Sequence, residues 1–154
     1  MSELYFQPVC QDDYKEIMAL EYASFNGRDR MKPEVFYDFI NNPSKKFIKV
    51  VDKDSNLIAC IMLCLLRNRE GVDSGYIYSI AVNEKYKRKG IASICMQYII
   101  EYFIEENVSF IELHVRKSNI PAIKLYEKFD FFIDQTVDNY YGDGDDALIF
   151  QKLL

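Results

Sequence analysis

His114 is the only histidine of the 154-residue chain, and imidazole is the side chain that most readily exchanges a proton near neutral pH. It lies in the stretch FIELHVR, which alternates as a strand with one buried face does. The alternation puts Phe110, Glu112 and Arg116 on the face of His114. Such a face suits a strand beside a cleft, so His114 is a candidate proton acceptor. A hydrogen-bonded structural histidine explains the same pattern, and both interpretations stay open.

The stretch KYKRKGIA, residues 85–92, is a second candidate because it places Lys87, Arg88 and Lys89 directly before Gly90. If it joins the end of a strand to the start of a helix, the backbone N–H groups and the helix dipole form a site for a phosphate group. The nucleotide-binding spacings GxxxxGK(S/T) and GxGxxG are missing from it. A solvated basic turn is the alternative interpretation.

Composition and charge argue against several classes of function. The net charge is −5 and the isoelectric point is near 5.0, so the chain lacks the excess of Lys and Arg that direct nucleic-acid binding needs. We recognise no signal peptide and no apolar run of spanning length, so we expect a cytoplasmic, reducing location and no membrane partner. The cysteines lack metal-ligand spacing, so we predict no metal site and buried thiols at Cys60 and Cys64.

Periodicity predicts the elements that position these residues. YIYSIAV alternates as a strand, with one face formed by Tyr76, Tyr78, Ile80 and Val82. A helix follows from Gly90 to about residue 107, and then the strand that contains His114. Strand, helix and strand in this order predict a crossover between two parallel strands.

The remaining elements complete the fold. One helix begins at Asp12 or Asp13 and includes Phe25, and a second has Pro33 in its first turn. A hairpin over residues 45–67 is followed by a predicted loop over 68–75, and a later helix is capped by Ser118 or Asn119. Two antiparallel strands, 130–137 and 146–154, end the chain. We predict one domain over residues 1–154, of mixed α/β (α+β) class, with about seven mostly antiparallel strands in one sheet and helices on both faces.

The stretch AVNEKYKRKGIA resembles the acetyl-CoA motif of the GCN5-related N-acetyltransferases, in which Arg or Gln precedes Gly by three residues and Gly or Ala by five. Lys87, Gly90 and Ala92 occupy these positions, and Lys87 departs from the commoner Arg or Gln. SNIPAIKLYEKFDF resembles a later signature of the family; Asp130 replaces a glycine, and the matching residues are Asn119, Ala122, Leu125, Tyr126 and Phe131. This resemblance implies a single GNAT-like domain with a central β-α-β acetyl-CoA motif.

The resemblance also implies acetyl-CoA as co-substrate, gripped mainly by backbone amides. The coenzyme-binding residues that it implies are Ile80, Ala81, Val82, Lys87, Arg88, Lys89, Gly90, Ile91, Ala92, Ser93, Asn119 and Tyr126. A strand N–H near Ile80 or Ala81 would stabilise the developing oxyanion. Asn119 binds the coenzyme, caps its helix or does both, and Tyr126 either meets the coenzyme sulfur or packs as a core tyrosine.

Three stretches, YIYSIAV, LHVRKSN and NYYGDGDDALIFQKLL, are similar to protein N-terminal acetyltransferases, namely the NatA and NatE catalytic subunits and the bacterial ribosomal-protein alanine acetyltransferases. This similarity implies that Tyr76 and His114 act as the catalytic pair, holding a water that accepts the amine proton, and that Tyr126 protonates the leaving thiolate. An α-amino group has a pKa of about 7.7 to 8.0 and is therefore easier to deprotonate than a lysine side chain, whose pKa is about 10.4.

The same similarity assigns substrate binding to Phe25, Tyr78, Tyr140 and Tyr141. Loop packing explains the last two equally well. The expected partners are a protein N-terminus and an auxiliary ribosome-anchoring subunit. The alternatives are acetylation of a lysine side chain or a small-molecule amine, and an acetyl-CoA-binding module without turnover. NGRDR, after Phe25, departs from both the NatA and NatE versions, so the residue that is acetylated stays open.

Overall fold

The computed structural model describes residues 3–154, so the first two residues of the predicted 1–154 domain lie outside the described part. This part contains seven strands and four α-helices. The strands are β1 (Leu4–Pro8), β2 (Lys45–Asp52), β3 (Ile58–Arg69), β4 (Val72–Val82), β5 (Phe110–Arg116), β6 (Phe132–Val137) and β7 (Ala147–Leu153). The helices are α1 (Tyr14–Ser24), α2 (Pro33–Asn41), α3 (Ile91–Glu105) and α4 (Ile120–Lys128).

The seven strands form one sheet in the order β1-β2-β3-β4-β5-β7-β6. Strands β4 and β5 are parallel, and α3 connects them. The pairs β1–β2, β2–β3, β5–β7 and β6–β7 are antiparallel. The predicted mixed, mostly antiparallel sheet with a central β-α-β crossover is therefore confirmed.

The described residues divide into two compact units, and the chain passes from one to the other within β3, β4 and α3. The first unit contains the residues up to Leu65 together with Ser79–Cys95. The second contains Leu66–Tyr78 and Met96–Leu154. The basic loop before α3 thus belongs to the first unit, and His114 belongs to the second.

In the first unit, α1 and α2 contribute apolar side chains to a core shared with β2 and β3. Pro33 lies in the first turn of α2, where a missing N–H is tolerated, and Phe36 and Phe39 follow at helical spacing and are buried. The Phe36 ring packs edge-on against Tyr14 and Phe47, with centroids 5.0 and 5.6 Å away. This packing holds α1 and α2 together, and these two helices flank the segment that contains Phe25.

In the second unit, β5 alternates strictly between buried and partly exposed residues. Ile111 and Leu113 are buried, together with Phe103 of α3 and Phe150 of β7. Leu113 lies opposite Phe150 in the antiparallel register of β5 and β7. The core therefore holds one face of β5 and leaves the face of His114 partly open, as the alternation predicts.

The predicted loop over residues 68–75 is wrong for most of its length. β3 continues to Arg69 and β4 begins at Val72, so only Glu70 and Gly71 connect them. Both have left-handed φ angles, 54° and 82°, as in the two-residue turns that match the twist of a hairpin. Glu-Gly lies outside the Asn-Gly and Asp-Gly pairs that signal such a turn, so the pattern did not reveal it.

Three details near the N-terminus also differ from the predictions. Asp13 directly precedes α1, but its carboxylate accepts the N–H of Cys10 and pairs with Lys49 instead of capping that helix. Phe25 is the first residue after α1 rather than part of its apolar face. Periodicity did not predict β1, because its five residues, LYFQP, show no clear alternation and end in proline.

Three of the four cysteines are buried, as predicted for the pair in β3. Cys60 and Cys64 lie in that strand, and the thiol of Cys95 in α3 is 3.0 Å from that of Cys60. Between residues 3 and 154 no helix is long and apolar enough to cross a membrane. The same residues contain no group of three or more His, Cys, Asp or Glu side chains arranged to hold a metal ion.

Candidate active site

Tyr76 and His114 are neighbours on the parallel pair of β4 and β5. Their rings meet edge-on, with centroids 5.3 Å apart and an interplanar angle of 87°. Tyr76 lies opposite Glu112 in the register, and Glu112 precedes His114 by two residues, so strand geometry places all three side chains on one face. The structure brings together the two residues that the sequence analysis paired.

Both ring nitrogens of His114 have partners. Nδ1 lies 3.3 Å from the hydroxyl oxygen of Tyr140, and Nε2 lies 3.3 Å from Oε2 of Glu112. The Tyr140 ring also packs edge-on against the imidazole, with centroids 5.6 Å apart. Since 20% of the His114 side chain is exposed, a ligand can reach it. An imidazole held between a carboxylate and a phenol is equipped to accept a proton.

Glu112 and Arg67 are site residues to which the sequence analysis gave no role. Nη1 of Arg67 lies 3.7 Å from Oε2 of Glu112, and the Gln151 amide donates to Oε1 over 3.5 Å. The guanidinium of Arg67 also stacks on Tyr76, with its central carbon 3.7 Å from the ring centroid. Strand alternation placed Glu112 on the face of His114, but no sequence signal connected Arg67 to either residue.

The phenols of Tyr76 and Tyr126 both resist ionisation. Burial raises the pKa of Tyr76 to about 12, although the nearby Arg67 charge opposes this. Burial also raises the pKa of Tyr126 to about 12, and the nearby Tyr76 adds to the rise. The Tyr126 ring lies about 6 Å from those of Phe131 and Phe150, with centroids 6.0 and 6.1 Å away. Both tyrosines therefore stay neutral near pH 7 and can donate a proton or a hydrogen bond.

The loop between β6 and β7 carries Tyr140 and Tyr141, whose rings pack edge-on with centroids 5.0 Å apart. Arg116 of β5 holds this loop: its Nη1 contacts both carboxylate oxygens of Asp143, at 3.1 and 2.9 Å, and its guanidinium stacks on Tyr141. A backbone hydrogen bond from Asp145, followed by Arg116, lowers the pKa of Asp143. Strand β5 therefore carries both His114 and the arginine that holds the β6–β7 loop against it.

Asn119 and Tyr78 also lie in the second unit. Oδ1 of Asn119 accepts the N–H of Ala122 at 3.3 Å, so Asn119 caps α4 as one of the two candidates predicted, while the Ser118 hydroxyl bonds Asp145. A coenzyme contact of Asn119 stays a prediction. Tyr78 is 46% exposed and lies on the face of β4 that also carries Tyr76.

The basic loop of the first unit leads directly into α3. A single helical turn over Glu84–Tyr86 is anchored where the Tyr86 hydroxyl donates to Asp52 at 2.6 Å, and Lys87 pairs with Glu84 at 3.0 Å. Lys89 lies above the Tyr86 ring, with its Nζ 5.5 Å from the centroid. Lys87 is therefore already paired, so the charges of this loop are partly satisfied within the protein.

Gly90 has a left-handed φ of 77°, and its carbonyl accepts the N–H of Ile94 as α3 begins. A Cβ built on Gly90 would have no heavy atom within 4 Å, so the space beside it is open. Among the described residues the first turn of α3 contains no acidic side chain. This turn, which includes Ile91, Ala92 and Ser93, fits a diphosphate because its N–H groups and the helix dipole favour an anion.

The end of β4 and the segment after α1 complete the predicted residues of the first unit. Ile80 and Val82 are half-buried and Ala81 is buried, and the next residue, Asn83, bonds the backbone of β3 through its N–H and its amide. Phe25 packs against the core, and Arg30 donates to its carbonyl oxygen at 2.7 Å. Hydrogen bonds thus hold the backbone in place at the end of β4 and at Phe25.

Comparison with known proteins gives a family. The model of the acetyltransferase (GNAT) family matches residues 12–131. An N-alpha-acetyltransferase of Saccharolobus solfataricus is 42% identical over 84 residues, covering 54% of this chain and 50% of that protein. The N-alpha-acetyltransferase daf-31 of Caenorhabditis elegans is 31% identical over 121 residues, covering 77% of this chain and 66% of that protein. This chain thus spans about half to two thirds of the length of these relatives.

A solved structure supports the fold. One chain of a crystal structure of the NatC complex bound to Gag peptide and CoA superposes with a TM-score of 0.87, at 24% sequence identity, covering 99% of both chains. At that identity the likeness establishes the architecture.

Proposed function

Because the family model covers residues 12–131, the chain belongs to the acetyltransferase (GNAT) family, and we propose that it transfers an acetyl group from acetyl-CoA to the α-amino group of a protein N-terminus. The observation that carries this proposal is the His114 imidazole, which contacts Tyr140 through Nδ1 and packs on Tyr76. The names of the two relatives support the choice of an α-amine.

Acetyl-CoA supplies the activated acetyl thioester. In this proposal, backbone N–H groups at Gly90 and in the first turn of α3 bind its diphosphate, with Lys87, Arg88 and Lys89 adding charge around them. The open space beside Gly90 supports this assignment. Further proposed coenzyme contacts are Ile80, Ala81, Val82, Ile91, Ala92, Ser93, Asn119 and Tyr126.

His114 accepts the proton that the attacking amine must lose, with Tyr76 helping to hold the water or amine beside it. Tyr76 is not the base, because a phenol with a pKa of about 12 stays protonated near neutral pH. Tyr126, whose pKa is also about 12, keeps a proton that it gives to the departing thiolate. The chain thereby provides separate groups for removing and donating a proton.

The proposed substrate is an α-amine because it is easier to deprotonate than lysine, by about 2.5 pKa units or about 3.4 kcal/mol. Tyr140 and Tyr141 hold the peptide backbone, while Phe25 and Tyr78 contact its first residues. Since a structural neighbour is part of the NatC complex, we also propose that an auxiliary subunit binds the chain. Its ribosome anchoring and the cytoplasmic location stay predictions.

The test is to mix the purified protein with acetyl-CoA and a panel of peptides that differ in their first residue, and to measure release of coenzyme A. His114→Ala and Tyr76→Phe should each lower kcat, by about 10²-fold for the histidine, and leave acetyl-CoA affinity nearly unchanged. Full rate in both variants would show that the base is misassigned.

Two controls separate the alternatives. Peptides with a blocked N-terminus and a free lysine, together with small amines, report the second acetyltransferase class. Acetyl-CoA binding in calorimetry without product from any amine would identify a binding module and overturn the proposed function. The proposal predicts turnover with at least one free N-terminus and a much lower rate when that N-terminus is blocked.

A further inference from the structure

Glu112 contacts the proposed base, yet the reaction described above gives it no part. Its Oε2 lies 3.3 Å from Nε2 of His114, and the side chain is only 18% exposed. The distance is long for a hydrogen bond, as is common in catalytic groups before substrate binds. A half-buried carboxylate at this position affects which ring nitrogen of His114 carries the proton.

The hydrogen-bonding capacities of these groups define the tautomer. An ionised carboxylate can only accept, so Nε2 of His114 must carry the hydrogen that points to Glu112. Neutral imidazole has one N–H, so Nδ1 is then the bare, basic nitrogen. Its partner at 3.3 Å is the Tyr140 hydroxyl, which must donate to it. The opposite tautomer would place two acceptors, Nε2 and the carboxylate, against each other.

Other contacts hold Glu112 in place for this role. Gln151 donates to its Oε1 over 3.5 Å, and Arg67 forms an ion pair with its Oε2 over 3.7 Å. Arg67 is itself stacked on Tyr76. Because both oxygens are engaged and the His114 contact is the shortest of the three, the carboxylate is held facing the imidazole.

We propose that Glu112 is a positioning residue that fixes His114 in the Nε2–H tautomer and that the Tyr140 hydroxyl relays the substrate proton to Nδ1. This inference rests on the proposed function. As the amine attacks, one N–H proton passes to the Tyr140 oxygen, while the Tyr140 O–H proton passes to Nδ1 of His114. The imidazole becomes imidazolium beside the Glu112 carboxylate, and Tyr140 is a neutral phenol before and after the transfer. The proton is conserved and no other reactant is needed.

Because the chain has one histidine, ¹⁵N labelling of histidine gives one pair of ring signals that can be assigned without ambiguity. Spectra of the free protein, at a pH where the ring is neutral, should show a protonated Nε2 and an unprotonated Nδ1. Glu112→Ala should remove this preference and give a mixture of tautomers, while Glu106→Gln, an exposed change after α3, should not. An Nδ1–H tautomer in the wild type, or an unchanged tautomer in Glu112→Ala, overturns the proposal. This measurement needs no turnover, so it is independent of the proposed function.

Kinetics test the relay itself. Tyr140→Phe keeps the ring and removes the hydroxyl, so kcat should fall about tenfold or more while the KM for peptide changes little. Glu112→Ala should likewise lower kcat about tenfold, and Glu112→Gln, whose amide oxygen still accepts from Nε2, should recover part of the loss. A rise in KM with unchanged kcat in Tyr140→Phe would make Tyr140 a peptide-binding residue only and would overturn the relay. Acetyl-CoA binding by each variant confirms that it is folded.

Discussion

Phe103 fills the space in which a side chain at Gly75 would have to lie: a Cβ built on Gly75 would be 2.6 Å from two ring carbons of Phe103. The Phe103 ring is fully buried in α3, so it cannot move into solvent. Gly75 directly precedes Tyr76 and lies opposite Ile111 in the parallel register. The close approach of Phe103 to Gly75 therefore packs α3 against β4, directly beside Tyr76 of the candidate site.

Gly75→Ala should lower the free energy of unfolding by about 1 to 3 kcal/mol, because an added methyl group overpacks a rigid core. Denaturant unfolding of the variant and the wild type measures the change. The double variant Gly75→Ala/Phe103→Leu makes room for the methyl group and should lose less stability than the two single variants summed. Strict additivity would show that the contact with Phe103 is not the cause.

The site strands were predictable because their burial is one-sided. Along β5 every second residue is apolar, so the register of His114 on the open face follows from the sequence pattern. The β3–β4 turn was not predictable in this way. Its left-handed Glu70 is stabilised by the hairpin as a whole and not by its own preference, since non-glycine residues rarely adopt positive φ.

Gly90→Ala should weaken acetyl-CoA binding severalfold, because alanine is strained at a φ of 77° and its methyl group would occupy the open space proposed for the diphosphate. Isothermal titration with acetyl-CoA measures the effect. Gly71→Ala is the matched control, since Gly71 has a φ of 82° and equally open surroundings but lies in the β3–β4 turn. We expect similar losses of stability in both variants and lost affinity only in Gly90→Ala; equal affinities would contradict the proposed contact.

Arg116→Lys should raise the KM for peptide severalfold and leave acetyl-CoA affinity unchanged. Lysine can place its one nitrogen against Asp143 but has no planar guanidinium to stack on Tyr141 at the same time, so the loop carrying Tyr140 and Tyr141 would lose part of its support. Steady-state kinetics with varied peptide check this. Lys117→Arg, an exposed change at the next residue, should leave the KM for peptide unchanged. An unchanged KM in Arg116→Lys would show that the contacts of Arg116 with this loop do not affect peptide binding.

The candidate site was only partly predictable, for a physical reason. His114 was singled out from the sequence as the only histidine, on an alternating strand, whereas its pairing with Tyr76 came from the similarity to N-terminal acetyltransferases. The contacts of Arg67 with Tyr76 and Glu112 depend on the order of strands β3, β4 and β5, which periodicity does not determine. The contact between Arg116 and Asp143 likewise depends on the path of the β6–β7 loop, whose sequence indicates only turns and flexibility.

Glu21 is a buried carboxyl group, 2% exposed, near the segment that contains Phe25. Its Oε1 accepts the N–H of Met31 at 2.7 Å, whereas its Oε2 has no hydrogen-bond partner within residues 3–154. Burial raises its pKa above the ordinary value, and the Met31 bond opposes this. The folded state therefore binds this proton more tightly than the unfolded state, so the group's contribution to stability is full at acidic pH and is lost as pH rises through the folded pKa.

Glu21→Gln should remove that loss, since the amide keeps an acceptor for Met31 and carries no charge at any pH. Relative to the wild type, the variant's free energy of unfolding should rise from pH 4 to pH 7, as measured by urea titration at several pH values. Glu21→Ala is the control for the hydrogen bond, because it leaves the Met31 N–H without this acceptor; since neither variant titrates at this position, it should be less stable than Glu21→Gln by about 1 to 3 kcal/mol at every pH. A difference between Glu21→Gln and the wild type that does not vary with pH would show that the carboxyl titrates alike in the folded and unfolded states.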